Sequence, residues 1–195
     1  MRTRLSVIGI FCSAIVLATS GTSSAAVPVG SGPQSVYTVQ DQPAPGSCAY
    51  RFAAGGDYLP DPNCTPGATN PDVSQATLDS TICRSGYAGT IRPPASVTRR
   101  EKQANARSYG YTDSLATAEY DHLISLELGG DPNDPRNLWV EPGSSPNAKD
   151  SVENQLKSMV CSRQVALADA QEAIATDWTT ALDRVGTSPA AHPPA

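Results

Sequence analysis

Asp121 and His122 stand side by side in the stretch EYDHLISLELGGDPNDPRNLW (residues 119–139), and Asn137, Asn147 and Lys149 follow close behind. An imidazole with an ordinary pKa of about 6.5 takes a proton from water near neutral pH. A hard cation such as Mg²⁺ needs few protein oxygens and keeps several waters. Asp121 and the side-chain oxygen of Asn147 supply two such oxygens, and Arg136 and Lys149 offer positive charge to a phosphate. These residue types suit phosphodiester hydrolysis, which needs an activated water, a cation on the leaving oxygen and fixed geometry. Two blander readings compete: an Asp-His pair on a polar surface, or a lone histidine satisfied inside the core.

Positioning these groups falls to the elements around them. His122, Ile124, Leu126 and Leu128 alternate with Leu123, Ser125 and Glu127, which predicts a strand through residue 128. An amphipathic helix with a glycine cap is the weaker alternative. Gly129-Gly130 and DPNDP make a turn-rich connection, and NLWV (137–140) is a second strand candidate. Ser145 is then expected as an N-cap with Pro146 at the first helical position. The helix so begun runs to Cys161, with Glu153 and Lys157 paired at i, i+4. A second helix is expected over 166–186, with Leu167, Ala170, Ile174, Trp178 and Leu182 on one stripe.

Upstream, VSQATLDSTIC (73–83) suits a short helix and GTIRPP a short extended piece ended by prolines. SVTRREKQANARSYG (96–110) reads as a polar helix capped by Gly110, more often a solvated face than a nucleic-acid contact. Residues 27–47 are small, polar and rich in Pro and Gly, the composition of a flexible tether. Residues 187–195 read as a frayed tail, and His192 within it as inert.

Residues 1–26 read as a secretory signal peptide: Arg2 and Arg4, then the apolar run LSVIGIFCSAIVLA, then small residues up to Ala26. That run is too short to span a bilayer comfortably, so export without a membrane anchor is expected. The chain has 14 basic and 19 acidic residues; losing Arg2 and Arg4 leaves 12 basic, a net charge near −7. An acidic whole argues against non-specific adhesion to nucleic acid without excluding a local basic patch. Cys12 departs with the signal, leaving four cysteines with three connectivities open to them. Cys48–Cys64 and Cys83–Cys161 are favoured, the first pinning a loop-like segment and the second stapling two helix ends. A four-thiolate metal site is disfavoured because no Cys-x-x-Cys occurs. One useful histidine is too few for a zinc hydrolase, and no Gly-x-Ser-x-Gly elbow supports a serine hydrolase.

The stretch DHLISLELGG…RNLW…NAKD resembles the HNH nucleases, whose fold is the ββα-metal arrangement. The family's Asp-His on the first strand matches Asp121-His122, its Asn after the loop matches Asn137, and its His or Asn at the helix start matches Asn147, with Lys149 nearby. The resemblance covers residues 119–158 and does not extend to 48–118. It implies an α+β domain over 48–186, with an HNH-like core at 119–162, extra helices and a disulfide-stapled, loop-rich N-terminal part. His122 is then the general base, Asp121 and Asn147 hold a divalent metal (Mg²⁺ first, Mn²⁺ or Zn²⁺ as alternatives), and Asn137 fixes the loop. Arg136 and Lys149 are the expected phosphate contacts. In a regular strand Asp121 and His122 point to opposite faces; the family's answer is a strand end bent by the adjoining loop. The implied activity is metal-dependent endonucleolytic cleavage of DNA, with RNA as a second candidate, by a secreted monomer. The alternative is a non-catalytic secreted domain that binds a wall polymer or protein on the same scaffold.

Overall fold

Two short antiparallel strand pairs and a set of helices make up the protein in a computed structural model that describes residues 26–187. The expected signal peptide, apart from Ala26, and the tail beyond Thr187 lie outside the described residues. The first pair is β1 (Arg51–Phe52) with β2 (Tyr58–Leu59). The second is β3 (Ala118–His122) with β4 (Leu138–Pro142), in a register that sets Asp121 opposite Trp139 and His122 opposite Leu138. The helices are α1 (Tyr87–Ile91), α2 (Ala95–Ser108), α3 (Ala148–Cys161), α4 (Leu167–Thr176) and α5 (Ala181–Thr187). Strand, loop, strand and helix thus follow one another from β3 to α3. The fold is mixed α and β, with two small two-stranded sheets and two disulfides.

Local chemistry explains where the helices start and stop. α2 ends in a left-handed Gly110 (φ +62°), with Tyr111 N–H donating to Ala106 O at 2.8 Å and Gly110 N–H to Arg107 O at 3.2 Å. That is the bonding pattern of a Schellman cap. α3 starts later than expected: Asn147, not Ser145, is its N-cap, in a capping box with Asp150. The helix expected over 166–186 breaks at Asp177, whose extended backbone and side chain, bonded to Thr179 N–H, restart the chain as a 3-10 turn and then α5. In 73–83 only Leu78–Ser80 is helical, and it is 3-10. There Thr77 Oγ1 donates to Asp72 O and accepts from Ser74 N–H, and the Thr81 hydroxyl donates to Thr77 O, so hydroxyls compete for the backbone groups an α-helix would use. The expected extended piece before Pro93 is instead α1, and only from Arg92 does the chain extend.

The main core lies among α1, α3, α4, α5 and the loop after β3; Leu78, Ile82, Ile91, Ile124, Leu156, Val160, Ile174 and Trp178 belong to it. A smaller cluster of Cys48, Tyr109, Leu123 and Trp139 forms a second patch, with Tyr50 stacked 4.7 Å from Tyr109. Cys48–Cys64 closes the loop-rich segment, and Cys83–Cys161 joins the turn before α1 to the last residue of α3, the pairing favoured from the sequence.

Residues 27–47, expected as a flexible tether, form a strap bonded along the domain. Thr69 N–H donates to Pro28 O and Gly30 N–H to Thr69 O, both at 2.8 Å. Gly32 N–H donates to Asp131 Oδ2, the Tyr37 hydroxyl to Ile91 O, and Gln40 N–H to Glu101 Oε1. Among the described residues no helix is long and apolar enough to cross a membrane.

Candidate functional site

The expected strand from 122 to 128 ends at His122, and Leu126–Leu128 is a 3-10 turn. Asn137 causes the change. Its side chain is fully buried, accepts from Ile124 N–H at 3.0 Å and donates to Ile124 O at 3.0 Å, taking both backbone groups that a longer ladder would have used. It also donates to Asp131 O and accepts from Ala68 N–H. Leu123, Ile124, Leu126 and Leu128 are all buried, so their alternation reports burial on every side rather than a strand. The glycines fit this loop for steric reasons. A Cβ on Gly130 would lie 1.7 Å from Ile124 O, and Gly129 has φ +74°.

The bend lets Asp121 and His122 line one cleft of about 160 Å³. Glu119 and Asp121, two apart on β3, share the strand face that looks toward it. The His122 Nε2 lies 2.9 Å from the carbonyl of Pro132. A carbonyl only accepts, so Nε2 carries the proton and the lone pair of the neutral ring is on Nδ1. Burial pushes the imidazole down to about 4, against the bond to Pro132 and the charge of Asp121, so the ring is neutral at neutral pH. Pro132 is itself held in place, because Asp131 Oδ1 accepts Asn133 N–H at 2.9 Å and Asp134 N–H at 2.8 Å.

Lys149 is 1 % exposed and sits beneath the cleft. Its ammonium donates to Asp121 Oδ2 at 2.6 Å, to His122 O at 2.9 Å and to Glu153 Oε1. Those three bonds use all three of its protons. Burial disfavours the charge, but Asp121, Glu153 and Glu141 around it hold the pKa above the ordinary lysine value. Burial, then the charge of Asp121, raises the Glu141 carboxyl to about 9. Burial and Asp121 also raise Glu153, against the pull of Lys149. Burial, then Asp121 and Asp150, raises Glu119. Carboxylates outnumber cations here, and the crowding favours any further cation.

Four sequence expectations meet different surroundings. Lys149 does not reach the cleft as a phosphate contact, because its charge is spent on the carboxylates and on the end of β3. Arg136 pairs with Asp134 at 2.5 Å, donates to Val29 O, and does not line the cleft. The Asn147 side-chain oxygen accepts Lys149 N–H at 2.8 Å and Asp150 N–H at 3.3 Å, which occupies both its lone pairs with helix capping. Glu153 pairs with Lys149 one turn back rather than with Lys157, which lies 3.4 Å from Glu127.

The structure adds residues that sequence reasoning passed over. Arg92, Glu119, Ser125, Asp150 and Glu153 all line the cleft. Glu119 was readable as the i−2 partner of Asp121 on a strand, and Glu153 as the i+4 partner of Lys149. Arg92 carried no local signal. Glu119 Oε2 and Ser125 Oγ are buried without a hydrogen-bond partner. An orphaned carboxylate oxygen beside Asp121 is a hard donor, so Glu119 and Asp121 fit a cation of the Mg²⁺ type, which takes one or two carboxylates and fills its shell with water and phosphate. Among the described residues no three His, Cys, Asp or Glu side chains are gathered as a ready-made metal cage. Comparisons with protein families, with curated proteins and with solved structures give no match to this chain.

Proposed function

We propose that this protein is a secreted, metal-dependent phosphodiesterase of the HNH (ββα-metal) type that acts on nucleic acid. The observation that carries the reading is His122: a neutral imidazole with Nε2–H fixed on Pro132 O and Nδ1 free, lining the same cleft as Asp121. The order β3, loop, β4, α3 and the clamp made by Asn137 also support it. Export is supported by the signal-like residues 1–26 and by two disulfides, which persist in oxidising compartments.

In this reading His122 Nδ1 takes a proton from a water molecule, whose oxygen attacks phosphorus while the bridging P–O bond breaks. Arg92 pairs with the phosphate from the cleft wall. Glu119 and Asp121, rather than the expected pair Asp121 and Asn147, would hold a divalent ion. When bound, that ion offsets phosphate charge and supports the leaving oxygen. Lys149 keeps Asp121 aimed into the cleft and anchors the carbonyl of His122. Asn137 keeps the strand end bent so that neighbours on β3 serve one site.

The test is nicking of supercoiled plasmid by oxidised protein with Mg²⁺ or Mn²⁺. Cutting should stop with chelator and fall steeply in His122→Ala. Background cutting shared equally by wild type and variant leaves the non-catalytic binding domain as the reading.

A further inference from the structure

We propose that the groove between α2 and β3 is the track along which a nucleic-acid strand leaves the cleft, with Arg99 contacting its phosphates. This rests on the function proposed above for the class of substrate and says where the polymer lies. The groove holds about 530 Å³ and shares Glu119 and Tyr120 with the smaller cleft as a common wall. Ala95, Thr98, Arg99 and Lys102 line it from α2, and Ser144 and Ser145 from the loop after β4. The four α2 positions are spaced i, i+3, i+4, i+7, so they form one stripe of the helix. An adjoining stripe, Val97, Glu101, Asn105 and Ser108, is buried.

The chemistry of this lining suits a polyanion. Arg99 is exposed and, among the described residues, forms no ion pair. Lys102 donates to Leu115 O and Ala118 O, both at 2.6 Å, which leaves one of its three protons for a ligand. Thr98 and Ser144 add hydroxyl donors, and phosphodiester oxygens only accept. Glu119 is the one acidic residue on the groove lining, and it belongs to the shared wall. A chain of net charge −5 with a carboxylate-rich cleft repels a polyanion, so a local run of donors beside the cleft is what brings one in. Guanidinium, ammonium and hydroxyl contacts to phosphate position a strand without reading bases, so binding should tolerate any sequence.

The experiment measures anisotropy of short labelled single-stranded DNA and RNA at low salt, in Ca²⁺, with the full oxidised chain. Arg99→Glu should weaken binding about tenfold and lower the salt slope by about 1, whereas Arg100→Glu, off the groove on the same helix, should change it less than about threefold. Whichever nucleic acid shows the larger loss is the one the groove accommodates. Turnover of bis(4-nitrophenyl) phosphate, too small to reach the groove, should be unchanged in Arg99→Glu. Equal weakening by both variants, no weakening by Arg99→Glu, or no binding by the wild type overturns the proposal. If the wild type hydrolyses neither plasmid nor the small diester, the proposed function fails, while the contrast between the two variants still decides the groove.

Discussion

Lys149 shows most plainly how a residue's role depends on its surroundings. In the sequence it is a lysine near a helix start, next to groups that suit phosphate chemistry. In the fold it is the internal counter-ion of Asp121 and Glu153 and the anchor of the His122 carbonyl. Removing one partner of a buried charge cluster costs about 3–5 kcal/mol, because the carboxylates left behind are uncompensated. Lys149→Met should therefore lose about that much stability in urea unfolding at neutral pH. A loss under about 1 kcal/mol would contradict the counter-ion role. Asp121, His122 and Asn137 were legible because their types and order carry chemistry by themselves. Arg136 and Asn147 were legible as residues but not as roles. Asp134, two residues back, captures Arg136, and the first turn of α3 captures the Asn147 oxygen. Neither capture leaves a mark in spacing alone.

Among the elements, the strap over 27–47 differs most from its composition. Pro and Gly give a chain with few side chains to pack, yet the strap is ordered through its backbone, which bonds to Thr69, Asp131 and Glu101. It also reaches the site: Asn133 donates to Thr38 O, next to the Pro132 whose carbonyl holds His122. Glu101 makes this seam sensitive to pH. It is fully buried, Oε1 accepts Gln40 N–H at 2.8 Å, and Oε2 has no partner. Burial raises its pKa, partly offset by the bond from Gln40. The folded state thus keeps this proton to higher pH than the unfolded chain, whose carboxyl titrates near about 4.3. Stability from Glu101 is fullest below that value and declines as pH rises through the window above it. Glu101→Gln does not titrate. Urea unfolding from about pH 4 to 7 should therefore show the stability of wild type relative to the variant falling as pH rises; a flat or rising difference would contradict the account. The body of α3 was legible from periodicity and the end of α2 from its glycine cap, though the start of α3 fell two residues later than expected. The turns at 73–83 were not, because hydroxyl competition for the backbone depends on which side chains meet in space.

At the scale of the molecule, the small sheets supply little of the frame. β4 packs against α2, β3 is linked to α3 through Lys149, and α3 is tied to the N-terminal half by Cys83–Cys161. That bridge closes 78 residues, which contributes about 4 kcal/mol in the loop-entropy model. This is a large share of a typical stability of about 5–15 kcal/mol. Cys83→Ser with Cys161→Ser should lower unfolding free energy by roughly that amount and depress nicking, since α3 carries Lys149 and Glu153 to the cleft; unchanged melting would contradict it. What the acidic cleft does rests on His122. The most direct measurement is the rate of plasmid nicking in Mg²⁺ by wild type and by His122→Ala, both oxidised and both shown folded by circular dichroism. The account predicts a loss of about 10²–10⁴ in the variant, the usual contribution of a general base. Equal rates in the two proteins, insensitive to chelator, would contradict it.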